Sequence, residues 1–195
     1  MLSDDCNIFI SIIKVLKSSI NDMEQKKNME QKKKRVVTKI GNIFCVEIDN
    51  KQKSYFQYIA NDLTELNSSV IRVFKKRYPI DSNPSMEEIV SDEVDFYVHT
   101  VLSVGVKRGG WYKVGTSKNI GDTENIYFRF YSDVNYAGTG QTKAYYWSVW
   151  KINEPSQFIG EMKEQYQDYN IGPVFPYFIV VDKIKTGKFS FNLLD

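Results

Sequence analysis

The chain has 195 residues, 42% hydrophobic and 26% charged, the balance of a soluble globular protein with one full core. Its net charge of +2 is not evenly spread: residues 24–39 carry seven basic side chains against Glu24 and Glu30. The body from residue 40 onward is mildly acidic, which argues against a nucleic-acid binder, since such a protein needs a basic surface to displace counterions.

In chain order, "CNIFISIIKVLKSSI" (6–20) is apolar at helical spacing, with Ile8, Ile12 and Val15 in register, and Lys14 and Lys17 interrupt it. It is shorter than the roughly 20 apolar residues of a membrane span. It also lacks a signal peptide's basic start and small-residue cleavage site. The repeated MEQKK at 23–27 and 29–33 reads as a solvated helix or linker, and Met23 and Met29 offer alternative starts. Residues 1–35 are therefore expected to be an amphipathic and basic extension, and 36–195 a single β-rich domain. Cys6 and Cys45 have neither the count nor the spacing of a disulfide framework or zinc site, and suit a reducing cytoplasm.

From residue 36 the period changes. "VVTKIGNIFCVEI" (36–48) alternates, "DNKQ" (49–52) signals a turn, and "KSYFQYIA" (53–60) alternates again, so 40–60 predicts a hairpin. Residues 61–68 form a connection. "SVIRVFKKRY" (69–78) places Val70, Arg72, Phe74 and Lys76 on one face and Ile71, Val73 and Lys75 on the other. Two prolines break the strand at 79–84. Ser85 and Glu88 make a capping-box pattern that opens a short helix over 85–90. "VDFYVHTVLSVGV" (94–106) is the longest strand candidate, followed by strands at 109–115 and 124–131, a loop at 135–142 and a strand at 143–152. Phe158, Met162 and Tyr166 recur every four residues and predict a helix over 155–169, and 174–185 closes the chain as a strand. With no βαβ alternation, the expected class is α+β. It is mostly antiparallel, a strongly curved sheet or partly open β-barrel with two or three short helices.

Three constellations bear on chemistry. Gly110-Trp-Tyr-Lys-Val-Gly115-Thr116-Ser117 has the glycine spacing of a phosphate loop, but no lysine follows the second glycine and no helix follows Ser117. Bulky Trp111, Tyr112 and Val114 obstruct a phosphate, so the stretch reads as a strand begun by a glycine turn. His99, the single histidine, sits mid-strand and reads as structural; pairing it with Cys45 as base and nucleophile requires a proximity that sequence does not show. Glu87, Glu88, Asp92, Glu93 and Asp95 crowd a helix end, as a solvated face, an acidic surface for a basic partner, or paired acids for hydrolysis. Aromatic runs such as "WYKV" must turn one side outward. The outward member of the Trp111–Tyr112 pair, beside Lys113, is an interface anchor candidate.

At "TKIGNIFCVEIDNKQKSYFQYI" (38–59) the chain resembles the bacterial immunity protein 26 family. The resemblance rests on Lys39, Gly41, Ile43 and Phe44 in the first strand and Tyr55, Phe56 and Tyr58 in the second; Asn42 stands where the family usually has Asp. It implies a non-enzymatic, β-rich protein that binds and neutralises a cognate toxin in the producing cell's cytoplasm, with no cofactor. Occlusion of the toxin's active site is the expected mechanism. Trp111, Tyr112, Lys113, Glu87, Glu88, Asp92 and Glu93 are the candidate contacts, the acids meeting a basic toxin surface. A nucleic-acid-binding β-barrel using the basic tail, and a hydrolase using the acids, Cys45 or His99, are the alternatives.

Overall fold

In the computed structural model, which describes residues 36–64, 67–132 and 144–190, the body opens with the expected hairpin. Strand β1 (Asn42–Glu47) pairs antiparallel with β2 (Gln52–Asp62). The turn closes because Asp49 Oδ1 accepts hydrogen bonds from the Lys51 and Gln52 amides at 2.7 and 2.8 Å. Strand β3 (Ser68–Phe74) pairs with β2, and the two-residue β4 (Tyr78–Pro79) pairs with the start of β2. Helix α1 (Met86–Val90) begins where the capping pattern predicts, with the Glu88 amide donating to Ser85 Oγ at 3.1 Å.

The predicted long strand at 94–106 is two elements. Strand β5 (Val94–Thr100) ends the alternating run, and Leu102–Lys107 coils into helix α2. Tertiary packing overrides the strand pattern here. Gly105 leaves a socket for the Trp111 indole, where a Cβ would lie 2.1 Å from the ring. The Trp111 Nε1 donates to the Leu102 carbonyl at 3.1 Å. Strands β6 (Tyr112–Thr116), β7 (Tyr127–Tyr131) and β8 (Trp147–Lys151) follow as expected. The predicted helix at 155–169 is instead strand β9 (Gln157–Gly160) and a single 3-10 turn at Glu164–Tyr166. Phe158 pairs with Ser148 across the sheet, and Gly160, at φ +71°, turns the chain away from a helix. Strands β10 (Asn170–Ile171) and β11 (Val174–Phe175) are brief. The predicted final strand gives way after Phe175 to helix α3 (Tyr177–Thr186). Pro176 precedes α3 and Gly187, at φ +77°, ends it.

The class is α+β with three α-helices among the described residues, and the strands do not close into a barrel. They form a seven-stranded sheet in the order β11-β5-β3-β2-β1-β6, with β4 on β2, and a four-stranded sheet in the order β10-β7-β8-β9. Pairing is antiparallel except at β11–β5 and β10–β7. The expected extension, 1–35, and the expected 135–142 loop lie outside the described residues.

Both faces of the large sheet are covered, so its central strands are buried on every side despite their alternating sequence. One face carries Phe44, Phe56, Ile71, Val73 and Val98 against Leu102, Trp111, Val180 and Ile184 of the α2–α3 side. The other face is split. Ile43, Cys45, Tyr55 and Phe74 pack under Ile89 and Val90 of α1. Ile59 and Val70 pack against Phe128, Trp150 and Ile152 of the small sheet.

Two buried polar clusters, around Arg72 and Asp62, lie at this divided face. Arg72 donates from Nε to Gln57 Oε1 at 3.0 Å and from its terminal nitrogen to the Asn119 carbonyl at 2.8 Å, tying the segment after β6 to the sheet. Asp62, fully buried, joins the two sheets. One of its oxygens accepts from His99 Nε2 at 3.1 Å and Trp150 Nε1 at 3.0 Å; the other accepts from the Asn153 amide at 3.3 Å.

Candidate functional site

The surface around β6 is built by the glycine-rich stretch. Gly109, at φ +73°, turns the chain out of α2, and Gly110 passes against the Tyr177 ring, where a Cβ would come within 2.6 Å. The next residue falls inward. Trp111 is 2% exposed and meets Phe56 edge-on, with ring centroids 5.0 Å apart. Of the sequence pair, therefore, Tyr112 is the outward member and Trp111 belongs to the core. Tyr112 is 47% exposed and Val114 37%, and Lys113 is exposed beside them. The glycine spacing that imitates a phosphate loop lies along a strand: Gly115 is paired with Ile43 within β6.

Strand β6 is an edge of the large sheet, bonded to β1 alone. Its register shifts where Ile43 faces Gly115 and Phe44 faces Lys113, leaving Val114 as the extra residue of a bulge. Beside it is a shallow hollow of about 240 Å³, lined by Cys45, Glu47, Gly110, Tyr112, Val181 and Lys185. Interaction with the Cys45 thiol, with burial and Glu47 adding to it, raises the Tyr112 phenol well above its usual range, so it stays protonated as a donor. Burial likewise pushes the Cys45 thiol up, which keeps it protonated and a poor nucleophile.

The acidic cluster is arranged differently. Glu88 pairs with Lys76 at 2.7 Å, Glu93 with Lys75, and Asp92 accepts from the Lys76 backbone amide at 2.7 Å. These acids complete the end of β3 and α1, whereas exposed Glu87 has no ion pair among the described residues. Cys45 and His99 are not brought together: Cys45 lies under α1, while His99 lies beneath Phe128, with ring centroids 4.2 Å apart. Among the described residues no group of three or more His, Cys, Asp or Glu could hold a metal. No helix among them is long and apolar enough to cross a membrane.

A family model described as Immunity protein 26 matches residues 39–139, just over half of the chain. The chain belongs to the immunity protein 26 family. It matches no curated protein and no solved structure. The immunity protein 26 match runs from Lys39, three residues before β1, past the end of β7, so it contains the central strands and the β6 edge.

Structural reasons are visible for the residues that carry the resemblance. Gly41 sits at φ +93° with its would-be Cβ 2.7 Å from the Ser117 carbonyl, and its own carbonyl receives Gln57 Nε2 and the Ser117 amide. Only glycine fits that backbone and that space. Asn42 accepts from the Lys39 amide at 3.0 Å, a role Asp also fills, and donates from Nδ2 to Thr116 Oγ1 at 3.2 Å, which Asp cannot. With Asp the Thr116 hydroxyl would donate instead, so the substitution sets the direction of this link from β1 to the β6 edge. The sequence reading passed over Asp62 and Arg72. The signal for Arg72 was a charge on the same face as Val70 and Phe74; Asp62, in an apparent connection, offered none.

Proposed function

We propose that this immunity protein binds a cognate bacterial toxin in the producing cell's cytoplasm and neutralises it by covering the toxin's active site, without catalysis of its own. Membership of the family carries the reading. The exposed Tyr112 on an unpaired sheet edge, with Lys113 beside it, supports placing the contact there. Aromatic side chains on a rigid strand give large contact area at low entropic cost, which is why they dominate interface energetics. Glu88 and Glu93 are left out of the central contact, because they already have lysine partners, and Glu87 and Asp92 stay as candidate contacts.

Co-expression with the toxin domain encoded beside this gene tests the proposal. Growth should be restored and the two chains should co-purify. Tyr112→Ala should weaken the complex by about 1–2 kcal/mol while leaving the fold intact, because Tyr112 is a half-exposed edge residue. Absence of both rescue and complex would overturn the reading.

A further inference from the structure

We infer that the β6 surface receives an acidic surface of its partner; the inference rests on the immunity reading and assigns the toxin's charge at the contact. Exposed Lys113 lies on the edge strand itself. Lys107 and Arg108 end α2, next to Gly109 of the hollow, and Lys185 lines the hollow from α3. All four side chains are exposed, and none pairs with a carboxylate among the described residues. Against them Glu47 is the only acid lining the hollow. Asp182 is half-buried on α3, and Glu87 of α1 follows Met86, which packs on Gly115 of β6.

The contrast with α1 decides the sign. There Lys75 and Lys76 offset Glu93 and Glu88 only, so Glu87, Asp92 and Asp95 leave the α1 side acidic, opposite in sign to the β6 surface. Around Tyr112 the cations are unmatched, and their field extends into solvent. Unmatched charge of one sign raises the encounter rate with a surface of the other sign and repels its own kind. A second copy of this chain docking by the same surface would bring these cations near their own copies. The arrangement therefore selects a different, acidic partner over self-association.

The test uses the full chain and the toxin domain encoded beside it, carrying a substitution that abolishes its activity, with association followed by stopped flow. Reversing Lys107→Glu, Lys113→Glu and Lys185→Glu together should slow association about tenfold or more at low salt. The wild-type rate should fall as salt rises and approach that of the variant. Glu87→Lys, on the α1 side, should leave the rate unchanged or raise it. All the altered side chains are exposed, and an unchanged unfolding midpoint confirms that each variant is folded. A complex whose association is insensitive to salt and to the triple reversal overturns the inference and leaves the immunity reading standing. So does a complex slowed by Glu87→Lys, because it marks a basic partner. No complex at all overturns both.

Discussion

Replacing Asp62 with alanine tests the join between the two sheets. The substitution removes the acceptor for His99 Nε2, Trp150 Nε1 and the Asn153 amide, at 3.1, 3.0 and 3.3 Å. Asp62 and His99 have no solvent exposure and Trp150 very little, so the ring donors gain no water in exchange. Each stranded buried donor costs about 1–3 kcal/mol. The expected loss is about 4 kcal/mol. With a urea slope of about 2 kcal/mol/M, the unfolding midpoint drops by about 2 M. Asp62→Asn should lose only about 1–2 kcal/mol, because its oxygen can serve both rings while its NH₂ faces the Asn153 amide. Urea unfolding followed by tryptophan fluorescence gives both values, since Trp150 is part of the join. A midpoint shift below about 0.5 M for Asp62→Ala would refute the reasoning, because the three donors would then have found other partners.

Three further outcomes follow from the same packing. Burial lowers the His99 pKa below its ordinary 6.5, with Asp62 opposing the shift, and no donor or acceptor meets Nδ1 among the described residues. The unfolded chain therefore takes up the proton first. The stability held by neutral His99 is full above pH 6.5 and is lost as pH falls through the folded value, so the urea midpoint should fall from pH 7.5 to 5.5. The His99→Gln variant should lack that part of the slope, and equal slopes would contradict it. Gly105→Ala forces a methyl into the Trp111 indole, and thermal unfolding should show a loss of about 1–3 kcal/mol despite alanine's better helix propensity. Ser85→Ala removes the cap of α1, with an expected loss of about 1 kcal/mol in the same assay.

What the sequence showed of this fold is what local chemistry decides. The β1–β2 hairpin is held by an Asp49 turn and α1 by a Ser85 cap, and each signal lies within four residues of the structure it makes. Leu102, Val104 and Val106 continue the alternation of β5, so 101–107 reads as a strand. What coils it is a socket for Trp111, six residues beyond Gly105. The C-terminal helix carried legible marks, Pro176 at its start and Gly187 past its end, with Val180 and Ile184 buried one turn apart. The β-branched run between them obscured those marks. In the candidate site, the importance of the Trp111–Tyr112 pair was legible, but which ring faced outward depended on that same socket. The acids at 87–93 and the lysines at 75–76 were both plain in the sequence; that they answer each other depends on how β3 and α1 meet.

Two of the covers of the large sheet arrive late. The match to the family stops at residue 139, yet Trp150, which holds Asp62 from the small sheet, and Val180 and Ile184, which seal the other face, all come after it. During synthesis six of the sheet's seven strands leave the ribosome with α1 and α2 as their covers, and the small sheet, β11 and α3 follow. At a translation rate of about 5–20 residues per second, the roughly 70 residues from the end of β6 to the end of α3 take several seconds to appear. For that interval the apolar surface that the small sheet and α3 later cover is open to other chains.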